Sequence, residues 1–441
     1  MNFFGRIPGI IERKMEMEKW YTAYALANLA AGGVSILIPL FVLDLGGGVG
    51  DIGLLTAAGN LVGVPASITW GKLSDRWNSR KYFVVVGMLG VALTFILMGF
   101  IGSFSTLLLL NTIYILFWVS SASVVTILII EKEDRGNWDS KIGSFNLSSG
   151  LGWATGLLIG FLWTSLATLF VSGESVFRYL FVLLGLIALT GSILSFKWIP
   201  GDIQFERSKF RGRILEAGDM ITERFRYLPI HLYYLLKPKR LFAVRDRFGP
   251  QLTTYTIAAL FMFTGFSMFF IPLPAYFKTV IGLGNGTVYL LFIANSLASA
   301  LFYRAAARLT RRTGPTQVLL SSLSVRIVLF PSIVLPFLFI NSDWIKLVVV
   351  SLLFVAIGAS WATVNVSSLV ILSRLSPSTL KGQVFGTYNG VIGLSGVFGS
   401  LLGGYLAKYG GYFTTFLVAS LFISIGLSII RKKISDQLPA I

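Results

Sequence analysis

Twelve times between Trp20 and Ile430 the sequence runs for roughly 20 residues with almost no charged side chain. Runs of that length match the hydrocarbon thickness of a bilayer. Inside hydrocarbon no water is present to satisfy backbone N–H and C=O groups, so only helices and closed barrels can cross. A barrel strand would alternate apolar and polar residues over about ten positions. These runs do not alternate, and they contain Gly and Pro, which membrane helices tolerate. The expected spans are 20–43, 51–71, 82–103, 106–130, 142–165, 176–198, 253–277, 286–308, 315–340, 345–372, 383–407 and 411–430. Charged residues make up only 13% of the chain and mean hydropathy is +0.77, where a soluble domain carries about 25% charge. The expectation is an all-α, polytopic membrane protein with twelve transmembrane helices.

The basic residues orient those spans. With the N-terminus in the cytoplasm, 32 of the 37 Lys and Arg fall on the cytoplasmic side. The outer loops hold only Arg178, Lys278, Lys346 and Lys408, and Arg326 alone lies within a span. This positive-inside bias places both termini in the cytoplasm of a cell-membrane protein. It also accounts for the net charge of +18 with the lipid bilayer as partner and no nucleic acid. The organisation read from the sequence is a basic leader (1–19), a six-helix bundle (20–198), a polar cytoplasmic connection (199–252), a second bundle (253–430) and a tail (431–441). The leader shows no small-residue cleavage site. The absence of cysteine excludes disulfides and thiolate metal sites. His231, the single histidine, falls in the polar connection and reads as a surface residue. No metal, cofactor or enzyme chemistry is expected, and a monomer is.

The two bundles are repeats. At an offset of 243, Gly143, Phe145, Asn146, Gly150, Gly156 and Gly160 fall on Gly386, Tyr388, Asn389, Gly393, Gly399 and Gly403, and Trp118 falls on Trp361. At 233, Gly32 and Ile38-Pro39-Leu40 fall on Gly265 and Ile271-Pro272-Leu273. At 236, the charged stretch GKLSDRWNSRK (71–81) falls on ARLTRRTGPTQ (307–317), with Asp75 replaced by Arg311. Four matches in chain order, with little drift, indicate a duplicated six-helix unit whose copies share one orientation. Such halves enclose a cavity at mid-membrane depth.

Six plus six helices, a long central connection, and Gly71, Leu73, Ser74, Asp75, Arg76 and Arg80 between the second and third spans resemble the major facilitator superfamily of secondary transporters. Asn78 stands where that family's pattern has Gly, and Ser79 replaces its second Arg. The resemblance covers residues from about 20 to 430. It implies that Asp75 meets the N-terminus of the eleventh span at a cytoplasmic gate, where a carboxylate gains about 0.3–2 kcal/mol from unsatisfied N–H groups. Gly71, Arg76, Arg80 and Glu131 belong to the same expected gate, with Glu133 and Asp134 as further partners for the arginines. The Gly-rich fifth and eleventh spans read as packing surfaces.

The resemblance also implies that the first, fourth, seventh and tenth spans line a substrate path. Asn111, Tyr114, Trp118 and Ser121 share one helical face, as do Trp361, Asn365 and Ser368. A polar–aromatic stripe at mid-membrane avoids lipid, so both stripes are expected to face the cavity or another helix. Asn28, Ser35, Asn60, Phe261, Thr264, Asn295, Tyr388 and Asn389 are secondary candidates. No Asp or Glu lies in the middle of a span, so no proton-carrying carboxylate is evident. Arg326 is a possible anion contact, set against snorkelling or a bond to the backbone broken near Pro331. A charge-free cavity suits a small lipophilic or weakly cationic organic substrate, with export favoured. A facilitator or importer of a neutral solute such as a sugar, and a non-transporting receptor of the same fold, are the alternatives.

Overall fold

The computed structural model describes residues 18–77, 79–132, 138–171, 173, 175–199, 249–376 and 381–433. The leader, nearly all of the central connection and the last residues of the tail therefore lie outside the described part, as do the side chains of Asp75 and Glu131. Among the described residues there is no strand. Twelve helical spans are long and apolar enough to cross a bilayer: α1 (Lys19–Asp44), α2 (Val49–Trp77), α3 (Arg80–Met98), α4 (Phe104–Lys132), α5 (Trp138–Leu166), α6 (Ser175–Trp198), α7 (Pro250–Val280), α8 (Asn285–Thr313), α9 (Pro315–Phe339), α10 (Asp343–Leu375), α11 (Lys381–Gly410) and α12 (Tyr412–Lys433). An even number of crossings brings the start of α1 and the end of α12 to one face, called here the termini face.

The stretch 71–81 is mostly helix rather than a loop. Residues 71–77 form the last turns of α2, and α3 starts at Arg80. The reason is local burial. Leu73 and Ser74 are fully buried, Trp77 packs 5.2 Å from the ring of Phe83, and Arg80 donates to the Ser74 hydroxyl. The charges thus sit on a continuing helix whose apolar side is still covered.

Proline decides where two spans break. Pro272 has no N–H to give to the preceding turn. The first helix of α7 stops at Phe270, and the chain re-forms as a short turn and a π-helix at Tyr276–Val280. The repeat mate Pro39 leaves α1 continuous. In α9 the helix ends at Ser332, one residue after Pro331, and resumes over Leu335–Phe339.

Packing follows the repeat. In the first half α1 packs on α5 and α6, α3 on α4 and α6, and α2 on α4. The corresponding pairs recur in the second half: α7 on α11 and α12, α9 on α10 and α12, and α8 on α10. Two further seams join the halves, α2 with α11 and α5 with α8, and they exchange under the same repeat. Glycine makes the closest of these approaches. A Cβ built on Gly156 would collide with the Leu29 carbonyl of α1, and one on its mate Gly399 would lie 2.6 Å from the Thr264 carbonyl of α7. Lipid tails are as apolar as leucine, so helices in hydrocarbon are held by close backbone contact rather than by exclusion of water.

Gly156→Ala is therefore expected to lower the thermal midpoint of the purified protein by forcing α1 and α5 apart, an overpacking cost of about 1–3 kcal/mol. Gly150→Ala is the control, because that position faces open space, and its midpoint should not move.

Candidate functional site

A cavity of about 320 Å³ lies where the two halves meet. α1, α2, α4 and α5 line it from the first half, and α7 and α8 from the second. Its walls are chiefly Ile, Leu, Pro and Phe side chains, among them Phe270 and Pro274 beside the break in α7. The polar lining consists of Ser35, Thr56, Asn60, Asn111 and Ser296, with the indole-bearing Trp153, and no charged residue lines it.

Several of these polar groups are committed to backbone. The Ser35 hydroxyl donates to the Gly32 carbonyl at 2.6 Å, and Thr56 donates to the Ile52 carbonyl at 2.9 Å. Asn111 Nδ2 donates across to the Leu55 carbonyl of α2 at 3.3 Å. Asn60 lies against Gly396 of α11, so it spans the seam between the halves.

Of the residues singled out from the sequence, Ser35, Asn111 and Asn60 come together on this cavity. The others sit elsewhere. Tyr114 packs 4.8 Å from Phe95 of α3, and Ser121 abuts Gly87 of α3 while donating to the Trp118 carbonyl. Trp118 is half-buried beside Tyr114. The expected stripe on α4 thus turns in part toward α3, whose Gly87 and Gly90 admit the bulk of α4. Asn28 donates to the Tyr24 carbonyl within α1, and Asn295 to the Phe354 carbonyl of α10 at 2.8 Å. Phe261 packs against Phe422 of α12, and Thr264 is buried, donating to the Leu260 carbonyl. Tyr388 stacks on Tyr255 at 6.1 Å. Ser368 is buried and its carbonyl accepts from the Tyr255 hydroxyl, while Asn365 is half-buried and Asn389 exposed.

Arg326 departs most from expectation. It neither snorkels to an interface nor reaches the broken backbone near Pro331. It is fully buried, and its Nη2 donates to the Ile357 carbonyl of α10 at 3.0 Å. The guanidinium carbon lies 4.7 Å from the ring of Phe266, 5.3 Å from Trp361 and 5.6 Å from Phe330. Nε and Nη1 have no hydrogen-bond partner. Inserting Arg at mid-membrane costs about 2.5–3.5 kcal/mol on translocon scales. A charge-assisted hydrogen bond of about 1.5–3 kcal/mol and three ring faces offset that cost. Trp361 therefore packs on the guanidinium instead of lining the cavity.

The seams around the cavity differ at their two ends. Away from the termini face, a Cβ on Gly404 of α11 would lie 2.8 Å from the Cα of Gly53 on α2. Gly71 lies five turns along α2 from Gly53, and Gly386 five turns along α11 from Gly404, so each keeps the same helical face as its partner. A Cβ on either would meet nothing within 4 Å. Among the described residues, the glycine contacts between these two helices lie at mid-span and at the end away from the termini face. The second seam is also shut far from the termini face. Gly160 of α5 lies under the ring of Tyr289 on α8, and Gly286 lies against Ser165. Tyr289 is fully buried, and its hydroxyl donates to the Gly33 carbonyl of α1 at 2.7 Å. Tyr289, Trp153, Thr56 and Ser296 carry no sequence signal of their own; only Gly160 opposite Tyr289 and Gly32 opposite Trp153 hinted at close contacts. For the expected gate, the described part shows the Arg80–Ser74 bond and the open space beside Gly71. Its carboxylates lie outside the described side chains.

The model of the Major Facilitator Superfamily matches residues 20–396. The chain belongs to the major facilitator superfamily. Membership makes it a multi-pass membrane protein of the secondary-transporter class. No curated protein sequence matches it. Among solved structures, a mutant of the nucleoside transporter NupG superposes with a TM-score of 0.69 at 12% identity, over 95% of this chain and 99% of that one. A POT family transporter in complex with 5-aminolevulinic acid gives 0.71 at 12% identity, over 95% and 96%. A bacterial homologue of the human lysosomal transporter Spinster gives 0.66 at 11%, over 94% and 95%. These likenesses establish the fold shared within the superfamily.

Tyr289→Phe removes the bond that ties α8 to α1. A loss of about 1 kcal/mol is expected to shift the population away from this closure about fivefold. Pulsed electron-spin distances between labels on Gly48 and Tyr409, at the closed end, would read that shift.

Proposed function

We propose that this superfamily member moves a small lipophilic organic molecule across the membrane by alternating access around the central cavity. The observation that carries the proposal is the pair of seams flanking a cavity lined by both halves: away from the termini face, α2 meets α11 at Gly53 and Gly404, and α5 meets α8 at Gly160 and Tyr289. Rocking one half on the other would exchange which end is closed. Given the bias of basic residues, the termini face is the cytoplasmic one, and the arrangement is inward-facing.

The cavity chemistry supports the lipophilic reading. Its volume suits a drug-sized ligand. The Ser35, Thr56 and Asn111 donors already serve backbone carbonyls. A sugar would need several directed partners for its hydroxyls, whereas a lipophilic ligand needs contact area and one or two bonds. We favour export as the direction. Asp75 would latch the cytoplasmic ends of α2 and α11 in the outward-facing state, through the N-terminal N–H groups of α11.

The chain has no cysteine, so paired labels introduce no background. In proteoliposomes, a label pair at Arg76 and Gly386 should show two distances, exchanging inversely with a pair at Gly48 and Tyr409. A single fixed distance at both ends would remove alternating access and favour a receptor. Asp75→Asn should raise the inward-to-outward ratio about tenfold for each 1.4 kcal/mol lost. An unchanged ratio would remove the latch. Counterflow of a neutral lipophilic dye and of radiolabelled glucose, with and without a pH gradient, separates the substrate classes. Gradient-insensitive glucose flux alone would replace the exporter by a facilitator.

A further inference from the structure

A buried charge lies behind the cavity wall. Arg326 stays protonated at any physiological pH. It is fully buried, and its single hydrogen bond goes to the neutral Ile357 carbonyl, which cannot cancel a unit charge. No Asp or Glu stands in the middle of any span. Among the described residues the acidic positions Glu18, Asp44, Asp51, Asp75, Glu131, Asp139 and Asp343 all sit at the ends of spans. The charge of Arg326 is therefore uncompensated within the hydrocarbon zone.

That charge is coupled to the cavity through one ring. The guanidinium carbon lies 5.6 Å from the centroid of Phe330, and Phe330 lies 6.2 Å from the centroid of Phe270, which lines the cavity. The charge is thus within about 12 Å of the lining, with the fully buried ring of Phe330 between. The rings of Phe266, Trp361 and Phe330 that face the guanidinium do not line the cavity, so the charge reaches a substrate only through its field.

We propose that Arg326 is a specificity-determining residue: its buried charge makes the central cavity select against cationic substrates and in favour of neutral or anionic lipophilic ones. The inference rests on the cavity being the substrate site. It narrows the lipophilic class and removes weakly cationic compounds, which the sequence had left among the candidates. Arg326 touches no substrate in this arrangement. It acts through the field at the lining. At about 12 Å and the effective dielectric constant of protein interiors, a unit charge changes affinity about tenfold, so ions of opposite sign should separate by on the order of a hundredfold.

Tetraphenylphosphonium and tetraphenylborate, matched in size and opposite in charge, are the probes. Their dissociation constants are measured on the purified full-length protein in detergent, with Ser35→Trp as a plugged-cavity reference that subtracts partition into micelle. The expected result is a preference for the borate in the wild type of tenfold or more. Arg326→Gln should bring the ratio of the two constants at least tenfold closer to unity, and Arg326→Lys should restore it. A purely structural role for Arg326 would change both affinities together and leave their ratio alone. Equal wild-type affinities for the two ions, or an Arg326→Gln ratio within twofold of the wild type, would overturn the proposal while leaving the cavity as the site. If Arg326→Gln does not fold, the wild-type ratio decides alone. Binding of both ions undiminished in Ser35→Trp would instead overturn the cavity as the substrate site.

Discussion

In hydrocarbon a leucine gains nothing by leaving lipid for another helix, so a bundle holds together only where backbones come close. Glycine supplies that closeness here, and it does so twice over because the chain is a repeat. Gly152 and Gly156 admit α1 onto α5, and Gly399 and Gly403 admit α7 onto α11. Those contacts within each half are continuous and make each half a unit. The seams between the halves use the same device. α2 and α11 are close at Gly53, Asn60 and Val64. A glycine contact carries little apolar area and few side-chain interlocks, so it can be made and broken at modest cost. The same chemistry therefore builds rigid halves and a separable joint.

The second constraint is polarity without water. Many hydroxyls inside the bundle donate to a carbonyl one turn back, as Ser35 and Thr56 do at the cavity wall. The amides of Asn111 and Asn295 instead bridge neighbouring helices. The cavity that results is polar in composition but has few donors to spare. Arg326 is the exception, which the bundle accommodates with three rings and the Ile357 carbonyl. An aromatic cage screens a cation far less than a carboxylate would, so its field persists where a substrate would sit.

The fold was legible because it depends on quantities local to the chain. Span length follows from hydrocarbon thickness, and the repeat follows from identities such as Asn146 with Asn389 and Gly156 with Gly399. The span ends shifted by a few residues where burial extended a helix, as at Trp77, or where Pro272 and Pro331 broke one. The candidate site was legible only in part. Ser35, Asn60 and Asn111 face the cavity, while Tyr114, Ser121 and Trp361 pack on neighbours that look equally plausible in a helical wheel. A wheel shows which residues share a face and not what that face meets. The identity of the neighbour depends on small residues on another helix, Gly87 and Gly90 for α4.

By itself the sequence determined that this chain crosses the membrane twelve times, in two like-oriented copies, with its basic residues gathered on one side. Those features answer to the thickness and polarity of the bilayer, which act on each segment independently. Only the tertiary structure decided which glycines touch, which end of the seam is shut, and that the lone intramembrane cation lies in an aromatic cage behind the cavity wall. These depend on the rotation and tilt of one helix against another. Such angles are set by contacts between residues hundreds of positions apart, and no local pattern encodes them.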